Sequence, residues 1–480
     1  MSQAVLKPNE TAQRTPAPVP VPSTITPPSK PLNRIAFFAR FVRNPLLVVP
    51  QAVYEQDFVR LGGSTPVAWV TEPNLIKAVL LDQRDKFQKL AQIRILGPLL
   101  GKGILTSEGA DWKWQRQSSA PMFRHQELMT FVPGFVRATQ HLIEKWRRQP
   151  SGSTHEIERD MTRVTFDVIS ATLLPTADAT IGPAIEGSAG LFQKAGSWAQ
   201  LYAIANAPKW LPRPGRKAQR EAIRMLRSSV AAMLREREGA PSRDDLMHRL
   251  MQAKNPETGA PMNEDQLIDN LLTFYLAGHE TTAKALTWTL YILARSPEWT
   301  TALKDEVARV TGGNAVAAQH IDKLSLTQQV IKESMRLFPP VPIMSRQAVA
   351  DTSLGGHQIT AGTSIVIPIY ALHRHKKRWS NPELFDPMRF APEKEAAISR
   401  YQYMPFGAGP RICIGMAFAM IEATAMLATM LQAARFEFAG RQDPWPIARV
   451  TLLPKGGMPI KVWLDQGSQL PTGEVARSPL

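Results

Sequence analysis

The stretch Phe406-Gly407-Ala408-Gly409-Pro410-Arg411-Ile412-Cys413-Ile414-Gly415 decides how this chain is read. Its three glycines permit tight turns and let backbone N–H groups gather around one side chain, Cys413. An apolar helical run, Met416 to Gln432, follows directly, so the positive end of a helix dipole is expected beside the sulfur. Both effects favour thiolate over thiol. Cys413 is also the only cysteine among 480 residues, which excludes an intrachain disulfide framework and any zinc site that needs several thiolates. A lone cysteine is most often a small inert hydrophobe, but this setting argues for a function.

Outward from that loop, the length allows up to about three domains. A hydrophobic share of 44% and a charged share of 20% fit neither wholesale disorder nor a multi-span membrane protein. The 57 basic and 41 acidic residues leave +16, which points to an acidic partner. Residues 1–31 carry Pro16, Pro18, Pro20, Pro22, Pro27, Pro28 and Pro31 and read as a disordered or extended tail. The apolar stretch from Ile35 to Val49 is interrupted by Arg40, Arg43 and Pro45, so neither a secretory signal nor a transmembrane anchor is expected. Packing as the first helix of the domain is favoured there, with peripheral contact at a membrane surface left open.

Apolar residues at three- and four-residue spacing predict helices at Glu72–Leu81, Trp112–Ser119, Phe135–Arg148, Met161–Leu174 and Lys217–Arg237. Strand-like pieces are fewer, at Pro66–Val70, Ser364–Ile369 and Pro459–Leu464. The expected fold is mostly α with small β-sheets (α+β), one large domain over residues 32–480. Its longest periodic segment, Glu264 to Arg295, contains Asp269, His279, Glu280 and Lys284, which rule out a membrane span and suit a helix through the domain centre. In its middle, Ala277-Gly278-His279-Glu280-Thr281-Thr282 places two small residues a turn before a threonine, leaving a helix face open to close approach.

The Cys413 loop matches F-x-x-G-x-R-x-C-x-G at Phe406, Gly409, Arg411, Cys413 and Gly415. Trp112 and Arg116 stand as W-x-x-x-R, Glu333 and Arg336 as E-x-x-R, and Phe385-Asp386-Pro387-Met388-Arg389-Phe390 follows in order. With the Ala277–Thr282 stretch, this set resembles the soluble, bacterial-type cytochrome P-450 haem-thiolate monooxygenases over residues 32 to 465.

The resemblance implies a domain built around a buried haem b, with Cys413 as the thiolate ligand of the iron. Phe406 is expected beside the thiolate face, and Trp112, Arg116, Arg346 and Arg411 on the propionates, since guanidinium forks suit carboxylates. Glu280 and Thr281 are the implied catalytic pair, ordering water and relaying protons to bound oxygen. Glu333, Arg336 and Arg389 are the implied structural network. The basic run His373-Arg374-His375-Lys376-Lys377-Arg378 is assigned to a basic proximal surface rather than to nucleic acid or a metal.

Substrate contacts carry over less directly. Phe274, Ala277, Ile343 and Leu453 are the pocket candidates, with the Leu90–Leu105 segment and the set near Phe192, Trp198 and Tyr202. They are mostly apolar and suit a hydrophobic substrate such as a fatty acid, terpenoid, steroid or alkyl-aromatic compound. No flavin-binding unit or multi-cysteine cluster motif is present, so the two electrons for O2 are expected from a separate ferredoxin or flavodoxin with its NAD(P)H reductase, in the cytoplasm. The rival readings are a peroxide-driven hydroxylase, which needs no acid–alcohol relay, and a non-catalytic haem sensor or carrier.

Overall fold

Helical periodicity dominates the molecule as the sequence predicts. A computed structural model describes residues 15–22, 25–61, 66–172, 202, 215–238 and 245–465; Phe192 and Trp198 lie outside them. Its principal helices are α1 (Arg34–Arg43), α2 (Leu90–Leu100), α3 (Gly109–Ser119), α4 (Val132–Arg147), α5 (Ile157–Thr172), α6 (Arg216–Glu238), α7 (Glu264–Leu293), α8 (Pro297–Thr311), α9 (Ser325–Leu337) and α10 (Met416–Ala433). The expected Glu72–Leu81 helix is instead one short α-helical turn, Pro73–Lys77, that widens into a π-helical turn over Ala78–Asp82.

The strands are short: β1 (Val19–Pro20), β2 (Phe58–Leu61), β3 (Val67–Val70), β4 (Phe87–Gln88), β5 (Ser153–Glu156), β6 (Met344–Ala348), β7 (Ser364–Ile367), β8 (Leu384–Phe385), β9 (Ala434–Phe438), β10 (Trp445–Ala448), β11 (Leu452–Lys455) and β12 (Pro459–Leu464). The largest sheet runs β2-β3-β7-β6-β4, with only β3 and β7 parallel. A second sheet, β9-β12-β5, closes one end of the helical body, and β10 and β11 form a hairpin.

α7 is the axis. Asn263 and Gln266 form a reciprocal capping box at its start, and Glu264 and Asp265 complement the positive end of its dipole. The helix packs most extensively on α5 and also meets α9, α6, α10 and α8. Trp288 lies flat on Phe338 with ring centroids 4.0 Å apart, worth about 0.5–1.5 kcal/mol beyond the buried area. The Trp288 indole N–H donates to the Leu452 carbonyl at 3.0 Å, tying α7 to the β10–β11 hairpin.

Two expectations change. α7 is continuous through Ala277-Gly278, and Gly278 does not open a face: a Cβ there would sit 2.8 Å from Ile169 Cδ1. Gly278 lets α5 approach on one side, while Ala277 is exposed and Gly278 itself is half-buried. The described part of the Pro-rich segment is also extended but not loose. β1 pairs antiparallel with β8, the Trp299 indole donates to the Ala17 carbonyl at 3.1 Å, and Val21 and Ile25 are buried in the main core.

α1 packs as the first helix, through Phe41 and Phe37 against Val48, with Ile35 83% exposed on the other side. α10 is the one described helix long and apolar enough to cross a membrane, yet it is largely buried among α4, α7, α8 and α9 and is the core helix behind Cys413.

Candidate active site

The loop before α10 folds around Cys413. Gly407 and Gly409 both adopt φ of +73°, and a Cβ at Gly409 would lie 2.6 Å from the Leu80 carbonyl oxygen, so only glycine fits there. The Cys413 amide donates to the Phe406 carbonyl at 3.0 Å, and the Phe406 side chain is half-buried against the core. α10 begins at Met416 with Gly415 at its N-cap, three residues beyond the sulfur and where the apolar run predicts it.

Cys413 has exposed side-chain surface yet lies deep in the fold. Burial pushes its thiol above the ordinary value, and the Gly415 amide and the Arg116 guanidinium only partly oppose this. A cation at the sulfur would oppose that burial and favour the thiolate.

Around this loop the structure gathers cations with few acids. The Arg411 guanidinium lies 3.9 Å from the Trp112 ring centroid and donates to the Ser107 carbonyl at 2.9 Å and to Glu108. Arg116 donates to the Ile412 carbonyl at 2.8 Å. Arg346 is buried; it bonds the Ser345 carbonyl at 2.8 Å and Gln92 weakly, and burial lowers its pKa to about 10.

Lys89, which the sequence reading missed, joins this set. Its ammonium is buried and donates to the Leu105 carbonyl at 2.6 Å. Burial, then the neighbouring Arg411 and Arg346, lower its pKa to about 7 against the pull of Glu108. Lys89, Arg346 and Arg411 thus share one acid, Glu108, an excess of positive charge that suits a dianionic ligand.

On α7, Ala277 and Thr281 stand one turn apart on the same face, exposed and half-buried respectively, in the middle of a helix whose 268–275 and 282–293 stretches are buried. The Thr281 hydroxyl donates to the Ala277 carbonyl at 2.8 Å. Glu280 points elsewhere: its buried carboxylate accepts a hydrogen bond from Thr451, in the turn between β10 and β11. No signal in the sequence marks Thr451, 171 residues away.

Among the pocket candidates, Ile343 and Leu453 are half-buried. Phe274 is buried and stacked on Phe123 at 5.9 Å, so its ring is committed to packing.

Glu333, Arg336 and Arg389 come together. Arg336 forks onto Glu333 at 2.7 and 2.8 Å and spends its remaining N–H groups on the carbonyls of His373, Pro382 and Leu384. Arg389 reaches Glu333 at 3.3 Å. The basic run 373–378 carries acidic partners, while Lys376 and Lys377 stay solvent-exposed. Arg374 pairs with Glu383, Lys376 with Glu55, and Lys377 and Arg378 with Asp57.

A sequence model of cytochrome P-450 matches residues 44–462. The chain belongs to the cytochrome P-450 family. Its relatives include cyclooctatin synthase of Streptomyces melanosporofaciens, 31% identical over 91% of this chain and 93% of that protein. Cytokinin hydroxylase of Arabidopsis thaliana is 32% identical over 85% of this chain and 80% of its own length. The 11-oxo-beta-amyrin 30-oxidase of Medicago truncatula is 32% identical over 83% and 78%.

As a cytochrome P-450 the protein is an oxidoreductase of the monooxygenase type that uses haem b. The residues present fit that group. The iron would supply a cation at Cys413 against its burial, and the propionates would supply anions beyond the single Glu108 shared by Lys89, Arg346 and Arg411. Trp112 and Arg116 flank the same loop.

Proposed function

We propose that this protein hydroxylates a hydrophobic small molecule of the terpenoid, steroid, fatty-acid or alkyl-aromatic class, with two electrons delivered by separate proteins. The observation that carries the reading is the Ala277–Thr281 face of α7, an apolar approach ending in one hydroxyl within a buried helix. The names of the relatives cyclooctatin synthase and 11-oxo-beta-amyrin 30-oxidase support the terpenoid end of that range.

Bound haem supplies the activation of O2: two electrons and two protons are consumed, one oxygen atom enters a substrate C–H bond and the other leaves as water. Protein groups hold the protons for this. Thr281 Oγ1 donates to the Ala277 carbonyl and retains lone pairs that can accept from water on the open face. Glu280 is an acid one residue away, its carboxylate accepting from Thr451. The acid–alcohol pair favours O2-dependent turnover over a peroxide-driven hydroxylase or a haem carrier.

An acidic ferredoxin or flavodoxin with its reductase, in the cytoplasm, suits a chain of net charge +16. The 374–378 cations share the acids Glu383, Glu55 and Asp57, with Lys376 and Lys377 still facing solvent, so this run contributes only a small part of that charge.

Titration of the ferric protein with a panel of terpenoids, steroids and fatty acids, read as the low-spin to high-spin shift, identifies the class. Turnover of a shifting compound with NAD(P)H and a redox couple must give an oxygenated product containing oxygen from O2. Product formed with peroxide alone and none with O2 would replace this reading by the peroxide-driven one. Thr281→Ala should keep haem but divert electrons to peroxide; unchanged coupling would remove Thr281 from the mechanism.

A further inference from the structure

Glu108 stands at the N-cap of α3, where a side-chain oxygen would ordinarily accept from the unpaired amides of the first helical turn. It makes no such bond. Its carboxylate accepts instead from Arg411, 303 residues along the chain, although the side chain is partly open to water. The acid leaves its own helix start uncapped and serves a distant guanidinium.

The segment that ends in Glu108 is arranged around the same cations. The Leu105 carbonyl accepts from Lys89 at 2.6 Å and the Ser107 carbonyl from Arg411 at 2.9 Å. The Glu108 charge also acts on Lys89 and on the buried Arg346, so one acid faces three cations. In Arg411 one arm of the fork, Nη1, is spent on Ser107 and the other, Nη2, on Glu108, while the guanidinium lies over the Trp112 ring. A haem propionate that draws on these cations therefore meets a carboxylate of its own sign already engaged with them.

We propose that Glu108 is a positioning residue of the haem site that works as an internal counter-anion: it offsets the repulsion among Lys89, Arg346 and Arg411 and competes with the propionates for them, limiting how firmly haem is held and how readily it is reduced. A capping role and this one differ in sign. Removing an acid that supports a helix N-terminus weakens the helix and should loosen the site. Removing a competitor should tighten it, and reduction should become easier because one negative charge fewer opposes the incoming electron. Since Glu108 is partly exposed, both effects should shrink as ionic strength rises.

The test compares haem-loaded wild type with Glu108→Gln and with Glu108→Thr, which removes the charge but supplies a good cap for α3. Asp111→Asn is the control: it neutralises an acid in the first turn of the same helix that acts on none of the three cations. Haem transfer to apomyoglobin and the midpoint potential from spectroelectrochemical titration are read at low and high salt. At low salt both Glu108 variants should release haem several-fold more slowly than wild type and be reduced at a more positive potential, and both differences should narrow at high salt. Asp111→Asn should match wild type. In a Lys89→Met background the gain from Glu108→Gln should be smaller, because one of the contested cations is gone. Faster or unchanged haem loss in Glu108→Thr, whose helix start is secured, overturns the proposal. So does an equal effect of Asp111→Asn, or a gain undiminished by Lys89→Met.

Discussion

At the scale of single residues, the chemistry is set by a few side chains whose burial works against their charge. Cys413→His should fold and bind haem but lose the red-shifted carbonyl band of the reduced thiolate complex; a retained band would mean that another residue ligates the iron. Lys89→Met should weaken haem retention, read as transfer to an apo-acceptor, because it removes one of three cations that share Glu108. Glu422 gives stability a defined pH dependence. Its folded pKa, about 8, exceeds the unfolded value of 4.5, so the contribution is fully present below 4.5 and is lost as pH rises through 8. Within that window the loss is about 1.4 kcal/mol per pH unit. The melting temperature of wild type should therefore fall relative to Glu422→Gln between these limits; parallel curves would mean that Glu422 is already ionised. The sequence shows Cys413 and the Glu333–Arg336 pair because their partners lie within a few positions. Lys89 and Thr451 stay hidden because theirs are brought in by packing from other segments.

At the scale of elements, helix periods are legible and helix contacts are not. α7, α5, α6 and α10 fall close to where apolar spacing puts them, since burial of one face is what creates that spacing. Gly278 is misread because a missing side chain looks the same whether a ligand or another helix approaches. Gly278→Val tests the assignment: its Cβ would press on Ile169, and overpacking of this kind costs about 1–3 kcal/mol. Adding Ile169→Ala should return part of the loss in a denaturant titration. If Gly278→Val is neutral, the α5–α7 approach is looser than described. Arg336→Leu should be worse, about 3–5 kcal/mol, because Glu333 would remain buried beside Arg389 alone and three backbone carbonyls would lose their donor.

At the scale of the whole molecule, the net charge of +16 should appear as kinetics rather than as fold. Reduction by an acidic ferredoxin should slow steeply as salt rises, measured by stopped flow; a flat dependence would point to an apolar docking face. The Pro-rich start shows where composition misleads about the whole chain. Few apolar residues suggest a free tail, yet Val21 and Ile25 suffice to seat it, because the groove that receives them is assembled from residues near 299 and 385. That strap also sets an order of events during synthesis. The partner of β1 leaves the ribosome about 365 residues later, roughly 20–70 s at 5–20 residues per second. Throughout that wait the segment must stay extended and attract no other strand, and a proline at every second position from 16 to 22 withholds the N–H groups that a wrong pairing would need. The β1 segment is then among the last parts of the fold to find its place.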